Sequence, residues 1–272
     1  MHKRSLWWLG IPGCVLLALP FLALIQQTPW HSFTLVAGDL ASVRVSLGLG
    51  AVALMLVALL GTPLALWLAR TSSRARGLVE TLVLAALLTP PLAMGILLAA
   101  TYGPYATVGQ ALSRLGWLLN NNVGAFILAQ LYGGLAYYVM AARSAFEGIP
   151  RSVEEVAETL GASGWQICSR ITLPLAMRGL ASGLAVAWAR MIGEFGIVMI
   201  FAYFPQGMSV RLYVDLQNDG VDAVYMMVWI LLLTTLPLPL WILSRRAPDD
   251  VLGVQAGRSA FSFKRIFLRE RR

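Results

Sequence analysis

The residues best placed to do chemistry form a polar island, Arg151 to Pro174, set among long apolar runs. Its sequence, RSVEEVAETLGASGWQICSRITLP, carries two helix-start signatures. Ser152 with Glu155, and Ser163 with Gln166, both have capping-box spacing, in which two side chains three residues apart satisfy free backbone donors. Gly161 between them is a natural helix stop. Val153, Val156, Ala157 and Leu160 fall on one helical face, with Glu154, Glu155 and Glu158 off it. A short amphipathic helix held between apolar spans is a surface for a partner outside the membrane to grip. Its chemistry is docking, not catalysis.

Two further stretches carry polar or backbone-breaking residues inside apolar runs. Arg190 and Glu194 sit four residues apart and can pair along one helix face. Charge inside a bilayer is costly and faces a bundle interior or a wet cavity. Two readings stand for this pair: a buried ion pair that fixes packing, with Gly193 and Gly196 allowing close approach, or part of a pathway or gate together with Phe195. Thr89-Pro90-Pro91 interrupts another apolar run. Paired prolines remove backbone donors, which is tolerable in a membrane only where neighbours or a cavity satisfy the freed carbonyls. A packing kink and a pathway-lining break are both compatible with it.

Enzymatic signatures are missing from the sequence. It contains no GxxxxGK[ST] phosphate loop, and the only lysines, Lys3 and Lys264, follow no glycine-rich turn. HExxH and CxxC are absent too. Cys14 and Cys168, or His2 and His31, are too isolated for a metal site or a disulfide framework. Of the acidic residues outside the polar segments, only Glu194 is expected to be buried in a span.

The elements that must position these residues are transmembrane helices. The chain has 272 residues, of which 58% are hydrophobic and 12% charged, and its mean hydropathy is +0.71. Soluble domains carry about 25% charged residues. An all-α, polytopic membrane protein is expected, with six spans near 6–25, 45–69, 78–101, 123–142, 179–203 and 221–243. The polar island then lies between spans four and five. The first apolar run is too long for the core of a cleavable signal and is expected to remain as a span. Residues 1–243 form one transmembrane domain in this reading, and 244–272 a basic tail.

Charge orients the chain. One side collects Lys3, Arg4, Arg70, Arg74, Arg76, Arg143, Arg151, Arg170, Arg178 and the tail residues Arg245, Arg246, Arg258, Lys264, Arg265, Arg269, Arg271 and Arg272; the other has Arg44, Arg114 and Arg211. The basic side is cytoplasmic by the positive-inside rule, so both termini and the polar island are expected inside. The same asymmetry accounts for the net charge of +8 without a nucleic-acid partner.

Glu155-Val156-Ala157, three residues, Gly161, nine residues, then Ile171-x-Leu173-Pro174 resembles the EAA loop of binding-protein-dependent ABC importer permeases. Val156 replaces the usual first alanine. Gly193-Glu194-Phe195-Gly196 is similar to the GEFG of molybdate permeases and their sulfate relatives. Thr89-Pro90-Pro91 with Gly95, and Leu212 to Gln217, also resemble that group, and the likeness covers about 45–243. The resemblance implies a homodimer in the inner membrane, cytoplasmic ATP-binding subunits that carry ATP and Mg, and an external substrate-binding protein. It implies alternating access, with the polar island as the coupling helix. This chain would hold no cofactor of its own. Molybdate, with tungstate beside it, is the implied cargo. A sulfate permease is the nearest alternative, and an ion-coupled secondary transporter a remoter one, since that class needs buried ion ligands and internal repeats.

Overall fold

A computed structural model describes residues 7–32 and 38–244. Lys3, Arg4 and the expected basic tail beyond Ser244 lie outside the described residues. The elements are helical throughout: α1 (Trp7–Gln27), α2 (Asp39–Arg70), α3 (Ala75–Leu88), α4 (Pro91–Tyr102), α5 (Thr107–Arg114), α6 (Val123–Glu147), α7 (Arg151–Thr159), α8 (Gly164–Ile167), α9 (Leu173–Ile192), α10 (Gly196–Phe201), α11 (Met208–Asp219), α12 (Val221–Thr235) and α13 (Pro237–Ser244). Among the described residues, five helices are long and apolar enough to cross a membrane, and six if α3 and α4 count as one span.

The centre is a bundle of α2, α6 and α9. Ser46, Gly50, Ala53, Val57, Gly61, Ala65 and Leu68 recur every three or four residues of α2 and are buried, the stripe of a helix with one packed face. Small residues let the backbones approach. The Tyr138 ring of α6 lies over Gly61, where a β-carbon would come within 3.0 Å of it, and its hydroxyl hydrogen-bonds Thr62 Oγ1 at 2.6 Å. Lipid-sized apolar residues such as Leu59, Leu82 and Ile96 point outward. The α1 window is unburied along its length. Its end meets α12 through Tyr225, which donates to Gln27 Oε1 at 3.0 Å, and Trp229, which donates to Thr28 Oγ1 at 3.0 Å.

Three expectations change. Span three is not a straight crossing: α3 and α4 meet at 116°. Span five begins earlier than residue 179, because α8, a π-helical stretch Cys168–Thr172 and α9 form one 29-residue rod, Gly164–Ile192. It also ends earlier than 203, breaking at Gly193 before α10. The sixth span divides at Pro237 into α12 and α13.

Candidate coupling segment and helix breaks

The polar island folds into α7 and α8. Its first expected cap does not form. Pro150, not Ser152, precedes α7, and Ser152 lies inside the helix with no side-chain cap bond at its start; the fixed φ of proline pre-sets the chain for helix entry. The stop does form. Gly161 has φ +86, its N–H donates to Glu158 O at 2.9 Å, and the Ala162 N–H donates to Ala157 O at 3.1 Å. This pair of bonds closes the helix end on a left-handed residue, a conformation that strains other side chains. The second capping box is complete: Ser163 N donates to Gln166 Oε1 at 2.8 Å, and Gln166 N to Ser163 Oγ at 3.4 Å.

The expected apolar face of α7 divides. Ala157 is buried, while Val153, Val156 and Leu160 are exposed, Leu160 at 83%. Glu154, partly buried, and Ala157, three residues on, turn inward instead, and Arg151, though exposed, reaches back to the end of α2. Arg151 Nη2 donates to the carbonyls of Ala69 and Arg70 at 3.5 and 3.4 Å. Glu154 Oε1 accepts from Arg70 Nη2 at 2.9 Å and from Thr172 Oγ1 at 2.7 Å. Glu155 remains exposed and lines an open cleft of about 280 Å³ with Arg70, Arg151, Glu154, Glu158 and Ile167. Trp165 of α8, also exposed, extends the outward apolar surface.

Beyond α8 the chain widens into the π-turn, where Leu173 N donates to Cys168 O. Pro174 explains its position. A proline lacks the N–H of an α-turn, and its ring crowds the carbonyl four residues back, here that of Arg170. Ile171 and Leu173 are half-buried and Pro174 is exposed. A second charge group lies next to the segment: Arg76 and Arg143 each pair with both Glu80 and Glu147, at 2.7 to 3.3 Å. It ties the start of α3 to the end of α6.

The two breaks noted in the membrane runs pack against each other. At the first, Thr89 ends α3 with its hydroxyl donating to Ala85 O at 2.6 Å, and α4 starts at Pro91. At the second, α10 starts at Gly196. A β-carbon on Gly196 would lie 2.7 Å from Pro91 Cβ and 2.9 Å from Leu92 N; one on Gly95 would lie 3.1 Å from Ile197 O. Glycine at both positions lets α4 and α10 touch backbone to backbone.

Arg190 and Glu194 do pair, through Arg190 Nη1 and Glu194 Oε2. Glu194 is buried, and its other oxygen accepts from Ile197 N at 2.8 Å, so it also caps the start of α10. The Arg190 guanidinium lies 5.6 Å from the Tyr137 ring centroid. Phe195 packs against Tyr213 of α11 with the rings tilted and their centroids 5.1 Å apart. The pair therefore holds a helix break together, and Arg190 is 27% exposed along its side chain.

Glu194 is not alone in being buried. Asp39 and Asp215 are each nearly inaccessible, and both bind Arg211, at 3.3 Å through Nε and 2.9 Å through Nη2. Asp39, expected in an outer loop, is the first residue of α2. Burial, with the nearby Asp39 and Asp219 charges, pushes the Asp215 carboxyl above its ordinary value, and Arg211 opposes the shift. Sequence reading missed this group because its members are far apart in the chain. Glu154 was within reach: the three-residue spacing from Arg151 to Glu154 to Ala157 marks one helix face.

Residues 61–243 match the family model described as binding-protein-dependent transport system inner membrane component. The chain belongs to this family. As such the permease is a multi-pass inner-membrane component. It is 38% identical over 165 residues to a probable molybdenum ABC transporter permease of Haloferax volcanii, covering 61% of this chain and 60% of that relative. It is 32% identical over 220 residues to the molybdenum transport system permease of Mycobacterium tuberculosis, covering 79% and 83%. A molybdate/tungstate transport permease of Pyrococcus furiosus is 32% identical over 182 residues, covering 67% and 68%. The permease fold matches a chain of the bacterial alginate ABC transporter in complex with its alginate pentasaccharide-bound periplasmic protein, at TM-score 0.69 and 18% identity over 89% of this chain and 96% of that one. It also matches a chain of an inward-facing methionine ABC transporter, at TM-score 0.59 and 16% identity over 75% and 92%.

Proposed function

We propose that this chain is the permease of an ATP-driven importer of molybdate, with tungstate as a second cargo. The observation that carries the coupling mechanism is the outward presentation of Val153, Val156, Leu160 and Trp165 on a segment rooted by Ala157 and Glu154. Exposed apolar side chains in a polar segment need a partner to cover them. A cytoplasmic ATP-binding subunit that supplies ATP and Mg is that partner. The charge distribution supports cytoplasmic termini and a cytoplasmic coupling segment. A second copy of the chain and an external binding protein complete the assembly, and the binding protein sets most of the selectivity. The cargo assignment is carried by the molybdenum and molybdate/tungstate relatives.

Movement of α7 and α8 travels into α9, and α9 ends at Arg190 and Glu194. The packed breaks of α4 and α10 are the region where the pathway opens and closes. Glu155, Val156, Ala157, Gly161, Ile171, Leu173 and Pro174 belong to coupling. Thr89, Pro90, Pro91, Arg190, Gly193, Glu194, Phe195 and Gly196 belong to the gate region.

Reconstitution in liposomes with the ATP-binding subunit and the binding protein tests this. ATP-dependent uptake of labelled molybdate, resisted by excess tungstate but not by excess sulfate, is expected. Uptake that proceeds without ATP and collapses with ionophores would assign the chain to secondary transport. Preferential uptake of sulfate would correct the cargo.

A further inference from the structure

Glu154 Oε1 is a junction of three elements. It accepts from both Nε and Nη2 of Arg70, at 3.2 and 2.9 Å, and from Thr172 Oγ1 at 2.7 Å. Arg70 is the last residue of α2, Glu154 lies in α7, and the buried Thr172 closes the π-turn that leads into α9. Charge-assisted bonds of this kind are short and directional, and this group is about four-fifths shielded from solvent at both charged side chains. Arg151 adds a weaker tie to the same end of α2. Both acidic residues border the cleft, but Glu155, the one singled out by the motif, is exposed, whereas Glu154 is turned inward by these bonds.

We propose that Glu154 is the positioning residue of the coupling segment: its carboxylate fixes α7 to α2 and to the π-turn, so that displacement of α7 is passed to two spans together. This rests on the coupling role proposed above. Glu155 is left to face the partner. Without the Glu154 junction, α7 keeps only the weaker Arg151 tie, the burial of Ala157 and its helix ends, and its movement is absorbed in the loop.

The test uses the full chain assembled with its ATP-binding subunit and binding protein, and reads three quantities. Amide deuterium exchange across Val153–Leu160 reports the tether. Capture of the ATP-binding subunit reports docking. Molybdate moved per ATP hydrolysed reports transmission. Glu154→Gln is expected to speed exchange about tenfold, to leave capture within about twofold, and to lower the transport ratio several-fold. Glu155→Gln is expected to leave exchange unchanged. The exchanged pair Arg70→Glu with Glu154→Arg is expected to recover slow exchange and at least part of the ratio. Unchanged exchange and an unchanged ratio in Glu154→Gln overturn the proposal. Lost capture with unchanged exchange also overturns it, because Glu154 would then touch the partner directly. If the unaltered chain captures no ATP-binding subunit, the coupling reading itself fails, while the exchange comparison still decides whether Glu154 holds α7.

Discussion

Gly196 lies directly against Pro91: a β-carbon on the glycine would sit 2.7 Å from that of the proline. The contact joins the start of α10 to the start of α4, two helices that each follow a backbone break. Gly196→Ala therefore has no room, with Leu92 N only 2.9 Å away. Overpacking of this kind costs about 1–3 kcal/mol, and lower thermal stability of the detergent-solubilised protein with impaired uptake is the expected outcome. Gly193→Ala is the control for packing alone, read by thermal stability, since its nearest neighbour, Ala189 O, is 3.5 Å away.

At Gly161 the constraint is conformational, not spatial. Its φ is +86 and nothing lies within 4 Å of a built β-carbon. Gly161→Asn is expected to retain most capture of the ATP-binding subunit, because asparagine tolerates the left-handed region. Gly161→Val is expected to lose it, at a cost of about 1–2 kcal/mol or more to the helix end. Equal capture by both variants in pull-down would refute this.

Glu194 both caps α10 and balances Arg190. Glu194→Gln can keep the bond from Ile197 N but leaves the guanidinium uncompensated, so destabilisation of about 1–3 kcal/mol is expected. The double variant Arg190→Met with Glu194→Gln is expected to regain part of that stability. Thermal unfolding of the set measures packing. Uptake by the double variant measures whether the charge pair also serves the gate.

Asp215 predicts a pH dependence. Its carboxyl is raised from 3.8 by burial, so the folded chain holds a proton that the unfolded chain releases. That stabilisation is fully present below 3.8 and is lost as pH rises through the higher folded value. Arg211, Asp39 and Asp219 are the charges around it. Asp215→Asn is expected to flatten the stability profile just above pH 3.8, as followed by unfolding midpoints across mildly acidic buffers. A profile as steep as that of the unaltered chain would rule Asp215 out as the source.

Local signals were legible where one residue dictates the outcome. Gly161 ended its helix, Ser163 and Gln166 formed their box, and the apolar run of α6 became a single helix. The outward apolar face of α7 was legible as a surface to be gripped, and Val156 and Leu160 are exposed on it; the inward turn of Ala157 and the charged Glu154 was not, because their partners come from distant α2 and the π-turn. The Thr89-Pro90-Pro91 break was visible, but proline chemistry alone does not set an angle of 116°, nor does it show that α4 packs on α10 through Gly95 and Gly196. Helix α11 gave no apolar stripe, and its key residues are held by Asp39, 172 positions from Arg211.

The Gly164–Ile192 rod packs closely on α6 at Gly179 and Gly183, which fit against Ala145 and Ala141, and again at Met191, which fits against Gly134. With 1.5 Å per residue, the arm from Gly183 to Gly164 is about 28 Å and the arm to Ile192 about 13 Å. One continuous helical body thus joins the polar segment at its start to Arg190 near its end, with no loop between them to absorb a displacement.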